Sequence, residues 1–348
     1  MSSAIIEEKK SEAKTANIDT RKAIEYMGKT NDIKLELKRI KAEYGNKYSE
    51  LYSRVMPNIS NNIDIKDTLS FMQFNMLADG LSGYHSQSNK GKAFIKTPIA
   101  CLNFEYRGYR IIEEIIRNKP DIITIQECDQ YKFIEYYLKK YGYNGVFKPK
   151  NDSKCPIIGK NIKKYKLQAD GIAIFYDKSK CKINKIYKYN KSDDIKNKHD
   201  LNAIAMDITF NKKYRFIVSS FHLKSAKDAN GEIIRLEQLG YILPKLCELS
   251  KDMDGIFIGC DLNSPPKHDK FKALCYESII KGKHCIQKIK DNDKDYKMIP
   301  NGYVSGYGLN LNSAYKMGTF KGKKQGNEAE FTTYKARSKG IDKHTIDY

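Results

Sequence analysis

The segment Gly259-Cys260-Asp261-Leu262-Asn263 places a carboxylate and a carboxamide two residues apart. It lies between the apolar run Ile256-Phe257-Ile258 and the turn-forming Ser264-Pro265-Pro266. A short apolar run closed by turn residues reads as a buried strand. Residues two apart just past its end face the same way on extended backbone. A carboxylate there binds a cation or orients a water, and a carboxamide holds a phosphate oxygen.

Three other strand ends carry polar groups in the same position. Asn75 follows residues 71–74, Glu127 follows 122–126 and His222 follows 217–221. Each alone has an ordinary structural reading: a turn asparagine, a solvated or helix-capping glutamate, a satisfied histidine at a sheet edge. Together they fit metal-assisted phosphodiester hydrolysis, which needs a divalent cation, a deprotonated water and support for an anionic, phosphorane-like state. Mg2+ prefers carboxylate, amide oxygen and water. Glu127, Asp261, Asn75 and Asn263 offer such ligands without a thiolate, and Mn2+ is the other candidate ion. His222 suits a hydrogen bond to a phosphate oxygen, and Lys224 adds positive charge two residues later. A cation in such a site acts as a Lewis acid and lowers the pKa of bound water.

Groups at four strand ends need a sheet framework to hold them. The pattern predicts a strand at residues 69–77 running into a loop. A helix follows at 106–118, with Ile111, Ile112, Ile115 and Ile116 on one side, stopped by Lys119-Pro120. A strand at 121–126 and a helix at 129–140 come next, then strands at 171–176, 201–210 and 214–223, the last two joined through Asn211-Lys212-Lys213. A helix at 232–250 and a strand at 255–259 complete the reading. Residues 188–199 and 281–297 are charged and read as loops. Upstream, residues 1–31 are polar, Asn31 and Asp32 suit the cap of a helix to about residue 56, and 57–67 read as a turn-rich linker. No repeat is visible. The expected organisation is an N-terminal charged helical extension and linker over 1–68 and an α/β domain over 69–348, with two packed sheets covered by helices.

The chain has 63 Lys and Arg against 42 Asp and Glu, a formal charge of +21. The excess is spread along the sequence, which points to a polyanionic partner, nucleic acid first. The alternative is a solvated lysine-rich surface from an AT-rich coding bias. The cysteines are scattered without a CxxC pair, which argues against a zinc site. Several lie in apolar runs and pack as small hydrophobes, so a reducing, intracellular setting is expected, taken as the cytoplasm. No apolar stretch approaches a membrane span and the acidic N-terminus is no secretory signal, so no membrane partner is expected.

The ordered set of motifs resembles a known superfamily. The blocks are Phe74-Asn75-Met76-Leu77-Ala78; Pro120 through Glu127; Asp170 through Tyr176; Phe221-His222-Leu223-Lys224; and Gly259 through Ser264. They continue with Leu311-Asn312-Ser313-Ala314-Tyr315, Phe331-Thr332-Thr333-Tyr334 and His344-Thr345-Ile346-Asp347-Tyr348. In that order they resemble the endonuclease/exonuclease/phosphatase superfamily, with its DNase I-like fold. Within it they are most similar to the nocturnin, Angel and carbon-catabolite-repression deadenylase branch.

The resemblance implies a four-layer α-β-β-α sandwich with two mixed β-sheets. It implies Glu127 as the principal Mg2+ ligand with Asn75 in the same metal–water shell. Asp261 would orient or deprotonate the attacking water, Asn263 would bind the scissile phosphate and His222 would stabilise the charged transition state. Lys150 lies where the branch has a phosphate-contacting lysine. Two departures stand out. Ala226 occupies the place of an arginine, with Lys227 next, and a lysine does not copy a bidentate guanidinium contact. The branch also carries a Ser-Asp-His motif after the strand containing Asp347, whose aspartate pairs with that histidine. The sequence given stops at Tyr348, so a C-terminally truncated chain is expected.

These implications lead to a Mg2+-dependent phosphodiester hydrolase acting on RNA, a 3′-exoribonuclease of the poly(A) deadenylase type. Its affinity would come from lysine–phosphate contacts and from bases stacked on some of the 25 tyrosines. Two alternatives are a nocturnin-like NADP(H) 2′-phosphatase, whose partner would be a small phosphorylated nucleotide, and a catalytically impaired RNA-binding module.

Overall fold

The computed structural model describes residues 68–85, 94, 96–160, 168–190, 200–266, 311–317, 328–337 and 340–348, with isolated positions outside these stretches. Two mixed four-stranded sheets form its centre. The first has the order β1-β2-β4-β3, from β1 (Phe71–Asn75), β2 (Ile122–Gln126), β3 (Tyr143–Pro149) and β4 (Gly171–Asp177). The second runs β5-β6-β7-β8, from β5 (Cys181–Asn190), β6 (Asn202–Phe210), β7 (Tyr214–His222) and β8 (Gly255–Asp261). Each sheet contains one parallel pair, β1 with β2 and β7 with β8; the remaining pairings are antiparallel.

Alternation along these strands builds the layers. Phe71, Ile122, Ile172, Ile174, Ile204, Met206, Val218 and Phe257 pack between the sheets. Ile123, Ile125 and Phe175 face outward against α1 (Phe104–Asn118) and α2 (Tyr131–Lys140). Ala203, Ala205, Ile217 and Phe221 do the same against α3 (Ala229–Ser250). The result is the expected α-β-β-α sandwich. Asn103 caps α1 by accepting from Glu105 N at 3.0 Å, and Lys119, at φ 44°, ends it in a left-handed residue. Asp228 caps α3 by accepting from Gly231 N at 2.8 Å. Asn211 and Lys212, both at positive φ, turn β6 into β7.

Several expectations need adjustment. Lys188, read as loop, belongs to β5, an edge strand whose lysines face water. The second helix starts at Tyr131, because Asp129 is drawn inward and accepts from Gly80 N at 3.0 Å. β3 and the hairpin of β9 (Thr333–Arg337) and β10 (Gly340–His344) were not anticipated as strands. Leu35, Lys38 and Ala42 are helical, while the rest of the segment to residue 56 lies outside the described residues. So does most of 281–297, in which Lys290–Asp291 pairs with Lys294–Asp295. The described cysteines are free thiols, and no helix of the described residues is long and apolar enough to cross a membrane.

Toward one end of the sandwich the space between the sheets narrows. Along β1, β2, β7 and β8 the inward positions run from Phe71, Ile122, Phe216 and Phe257 to Gln73, Thr124, Ser220 and Gly259, and then to the strand ends. At Gly259 a Cβ would collide with Thr124 Oγ1 and meet ring carbons of Phe71 at 2.7 and 2.9 Å. A Cβ at Gly255 on the same strand would meet nothing closer than 3.7 Å. Gly259→Ala is therefore expected to cost about 2–3 kcal/mol by overpacking. Gly255→Ala should stay within about 0.5 kcal/mol of the parent. Urea unfolding of both variants checks this, and equal stabilities would refute the close-approach account.

Candidate active site

The two parallel pairs bring their carboxyl ends together at this narrow end. In register, Asn75 lies beside Gln126 and His222 beside Asp261. An amide clamp joins the sheets just below. Gln126 Nε2 donates to Ser220 Oγ at 2.9 Å and to the Gly259 carbonyl at 3.1 Å, both on the opposite sheet. Gln73 Nε2 donates to Gln126 Oε1 at 2.6 Å and to Asp347 Oδ1 at 3.2 Å. The polar side chains of Gln73, Gln126, Ser220 and Asp347 thus satisfy one another's burial.

Above the clamp, Asn75 ties the sheets' carboxylates together. Its Nδ2 donates to Asp261 Oδ2 at 2.9 Å and to Glu127 Oε1 at 3.2 Å, while its Oδ1 accepts from Leu77 N at 3.0 Å. Glu127 has φ 54° and Leu77 φ 57°. A left-handed conformation is costly for such residues and persists where surrounding contacts enforce it. At Glu127 it breaks the β2 alternation, which would otherwise send the side chain outward, and Glu127 Oε2 accepts from Ala78 N at 3.2 Å.

Asp261 is 3% exposed. Asp261 ends β8 on extended backbone, but Asn263 does not continue it as the sequence led one to expect; it is left-handed at φ 48°. Its N–H donates to Asp261 Oδ1 at 2.8 Å, closing an aspartate turn. Its Nδ2 donates to the Leu223 carbonyl at 3.0 Å and lies 2.9 Å from His222 Nε2. His222 Nε2 is also 3.6 Å from Asp261 Oδ2. Asn75, Glu127, His222, Asp261 and Asn263 are thus one connected group.

The lysines stand apart from it. Lys150 follows β3, donates its backbone N–H to Asp170 O, and places its ammonium 3.3 Å from Asp152. Lys224 is exposed, and its backbone N–H is held by Gln238 Oε1 at 3.0 Å. Lys227 pairs with Asp342 of β10 at 2.7 Å. Residues 346–348 pair antiparallel with β8: Leu262 N donates to Ile346 O at 2.8 Å and Tyr348 N to Cys260 O at 2.9 Å. Asp347 thereby lies opposite Asp261 and accepts from Thr332 Oγ1 at 3.0 Å. His344 faces Asp342 at 3.7 Å.

Among the described residues no group of three or more His, Cys, Asp or Glu side chains is placed to hold a metal. Glu127 and Asp261, bridged by one carboxamide, form a two-carboxylate oxygen site. That donor set fits a hard cation which keeps several of its waters, as Mg2+ does, and lacks the soft ligands of a zinc cage. Sequence reasoning missed Gln73, Gln126, Ser220 and Thr332. Gln73 and Gln126 were visible as carboxamides inside otherwise apolar strands, a position where an amide needs a buried partner.

Burial, and then the negative charge of Asp261, raise the Asp347 carboxyl from its ordinary 3.8 to about 7, against hydrogen bonds from Gln73 and Thr332 that pull it down. In metal-free protein the folded chain then holds a proton that the unfolded chain releases between about pH 4 and 7. The stabilisation is fully present below the ordinary value and is lost as pH rises through about 7. Denaturant titrations in EDTA should show stability falling across that window, with this group contributing at most about 1.4 kcal/mol per pH unit. Asp347→Asn should flatten the fall; an unaltered slope would rule out Asp347 as its source.

No family model matches the chain. Nocturnin of Drosophila melanogaster is 29% identical over 283 residues, covering 81% of this chain and 40% of the relative. The CCR4-Not complex 3′-5′-exoribonuclease subunit Ccr4 of Phaeosphaeria nodorum is 36% identical over 118 residues, 33% of this chain and 18% of the relative. The chain spans about half the length of the curated nocturnins it matches. The structure of the human Nocturnin catalytic domain with bound sulfate anion superposes with a TM-score of 0.55 at 22% identity, covering 80% of each chain, which shows a shared fold. With the two mixed sheets and their strand-end cluster, the chain is similar in sequence to nocturnins and to CCR4-type proteins and shares its fold with the Nocturnin catalytic domain.

Proposed function

We propose that the chain is a divalent-metal-dependent phosphodiester hydrolase acting on RNA, a 3′-exoribonuclease of the deadenylase type. The observation that carries this reading is the convergence of Asn75, Glu127, His222, Asp261 and Asn263 at the ends of two parallel strand pairs, one from each sheet. Glu127 and Asp261 would hold Mg2+ or Mn2+, with Asn75 in the same shell. The bound ion supplies Lewis acidity to a phosphate oxygen and acidifies a water.

The chain's own residues do the rest. Asp261, buried and faced by both Asn75 and His222, orients the attacking water and takes its proton. His222, beside Asp261, hydrogen-bonds a phosphate oxygen as negative charge builds. Asn263 keeps His222 and the Leu223 carbonyl in place and presents its carboxamide to the scissile phosphate. Asp347 buttresses Asp261 from the neighbouring strand. Lys224 and Lys150 would add point charges that favour a polyanion without reading its sequence, in keeping with the +21 formal charge.

A second reading, an NADP(H) 2′-phosphatase, is what the resemblance to the nocturnin branch implies, and the chain is similar to a nocturnin over 81% of its length. Against it, Ala226 stands where the branch has an arginine and the Lys227 ammonium is engaged by Asp342.

The decisive assay incubates the protein with 5′-labelled poly(A) RNA and, separately, with NADPH, in Mg2+ or EDTA. Shortening of the RNA in Mg2+ alone is expected, with Glu127→Ala at background. Turnover of NADPH but not RNA would select the second reading, and undiminished activity of Glu127→Ala would sink the site assignment. RNA affinity should also fall steeply with salt; RNA affinity that ignores salt would mark the charge as mere surface composition.

A further inference from the structure

Three polar side chains of α3 are buried where the helix passes beneath the loops bearing His222, Lys224 and Asn263, and the proposed chemistry uses none of them. Glu232, Arg235 and Gln238 recur every third residue and so share one side of the helix; none is more than 2% exposed. Arg235 Nη1 donates to the carbonyls of Lys224 and Ala226 at 2.8 and 2.6 Å. Its Nε and Nη2 donate to Glu232 Oε2 at 2.9 and 2.7 Å. Glu232 Oε1 accepts from Ser264 Oγ at 3.0 Å and from Cys275 N at 2.7 Å. Gln238 Oε1 accepts from Lys224 N at 3.0 Å, and its Nε2 donates to Asp200 O at 2.7 Å.

A buried ion pair seldom repays its desolvation against a well-packed apolar substitute, so stability alone explains this trio poorly. What its contacts share is their targets. Most of them end on the loop after β7 or on Ser264 directly after Asn263, and the two others reach Cys275 N and Asp200 O. Asn263 itself donates to the Leu223 carbonyl of that loop and touches His222, so a shift of the loop carries to both.

We propose that Arg235, oriented by Glu232 and assisted by Gln238, is a positioning residue that fixes residues 223–226 so that His222, Lys224 and Asn263 meet a substrate phosphate in register. The inference rests on the phosphodiester-hydrolase reading. The guanidinium fork matters because it serves a carboxylate and two carbonyls at once, which a lysine ammonium on a flexible stem does not reproduce.

Arg235→Lys tests this against Ile242→Ala, a cavity variant of a fully buried residue on the same helix. Three quantities are read: the melting temperature, the NMR resonances of the His222 ring and Asn263 carboxamide in metal-free protein, and kcat and KM on bis-p-nitrophenyl phosphate with Mg2+. Both variants should melt lower. Only Arg235→Lys should move the His222 and Asn263 resonances and reduce kcat, by about ten- to a hundredfold with a smaller change in KM. Gln238→Met, which removes the acceptor for Lys224 N–H, should move the same resonances and stands in if Arg235→Lys does not fold. The proposal is overturned if Arg235→Lys leaves resonances and kcat where Ile242→Ala leaves them, or if Ile242→Ala moves them equally. A parent protein without phosphodiester turnover would defeat the functional reading, while the resonances would still decide the positioning role.

Discussion

The site exists because two sheets approach each other more closely at one end than apolar side chains would allow. Gly259 has no room for a Cβ against Thr124 and Phe71, and Gln126 spans the gap with hydrogen bonds to Ser220 and to Gly259 itself. Asn75 belongs to one sheet and Asp261 to the other. The carboxamide of the first meets the carboxylate of the second at 2.9 Å. The absence of a side chain on β8 and the presence of an amide on β2 are one device, and the carboxylate pair depends on it.

The same narrowing explains the change in chemistry along the strands. A period of two keeps every second residue between the sheets, so inward positions pass from Phe and Ile through Thr, Ser and Gln to Asn, His and Asp without any change of face. The apolar end supplies burial. The polar end uses hydrogen bonds to hold carboxylates in a setting that would otherwise reject them. Left-handed residues finish the work at the rim, where Leu77, Glu127 and Asn263 turn the chain back over the strand ends. Backbone strain gathered at three points of one cluster is what a site held by its surroundings shows.

Much of this was legible in the sequence, and the boundary of legibility has physical causes. The strand ends at Asn75, Glu127, His222 and Asp261 stood out because each closes a strong apolar run, and the four-layer architecture followed from the motif order. β3 escaped because Tyr143-Asn144-Gly145-Val146 contains a glycine that makes room for the Phe175 ring, which reads as a turn when its neighbour is unknown. β5 escaped because an edge strand tolerates the lysines that break a buried pattern. The Asp261–Asn263 relation was misread because extended backbone was assumed where the chain turns. Arg235 and Glu232 were invisible for a further reason. Their charged types predict a solvated helix face, and only the loops folded over that face make it an interior.

The electrostatics of the cluster lead to a last step. Glu127, Asp261 and Asp347 bring three carboxyl groups to one end of a chain with a large positive charge. In the metal-free arrangement the cluster is held together by carboxamides from Asn75 and Gln73 and by the proton that Asp347 retains to about pH 7. A divalent cation between Glu127 and Asp261 would do the same job more strongly, and by offsetting the charge of Asp261 it would weaken one of the causes that raise Asp347. Cation binding and proton release would then be linked through Asp261. On the proposed reading, such a cluster would accept a phosphate only with its cation in place, since bare carboxylates repel an anion, whereas the lysines outside it attract the polyanion in either state.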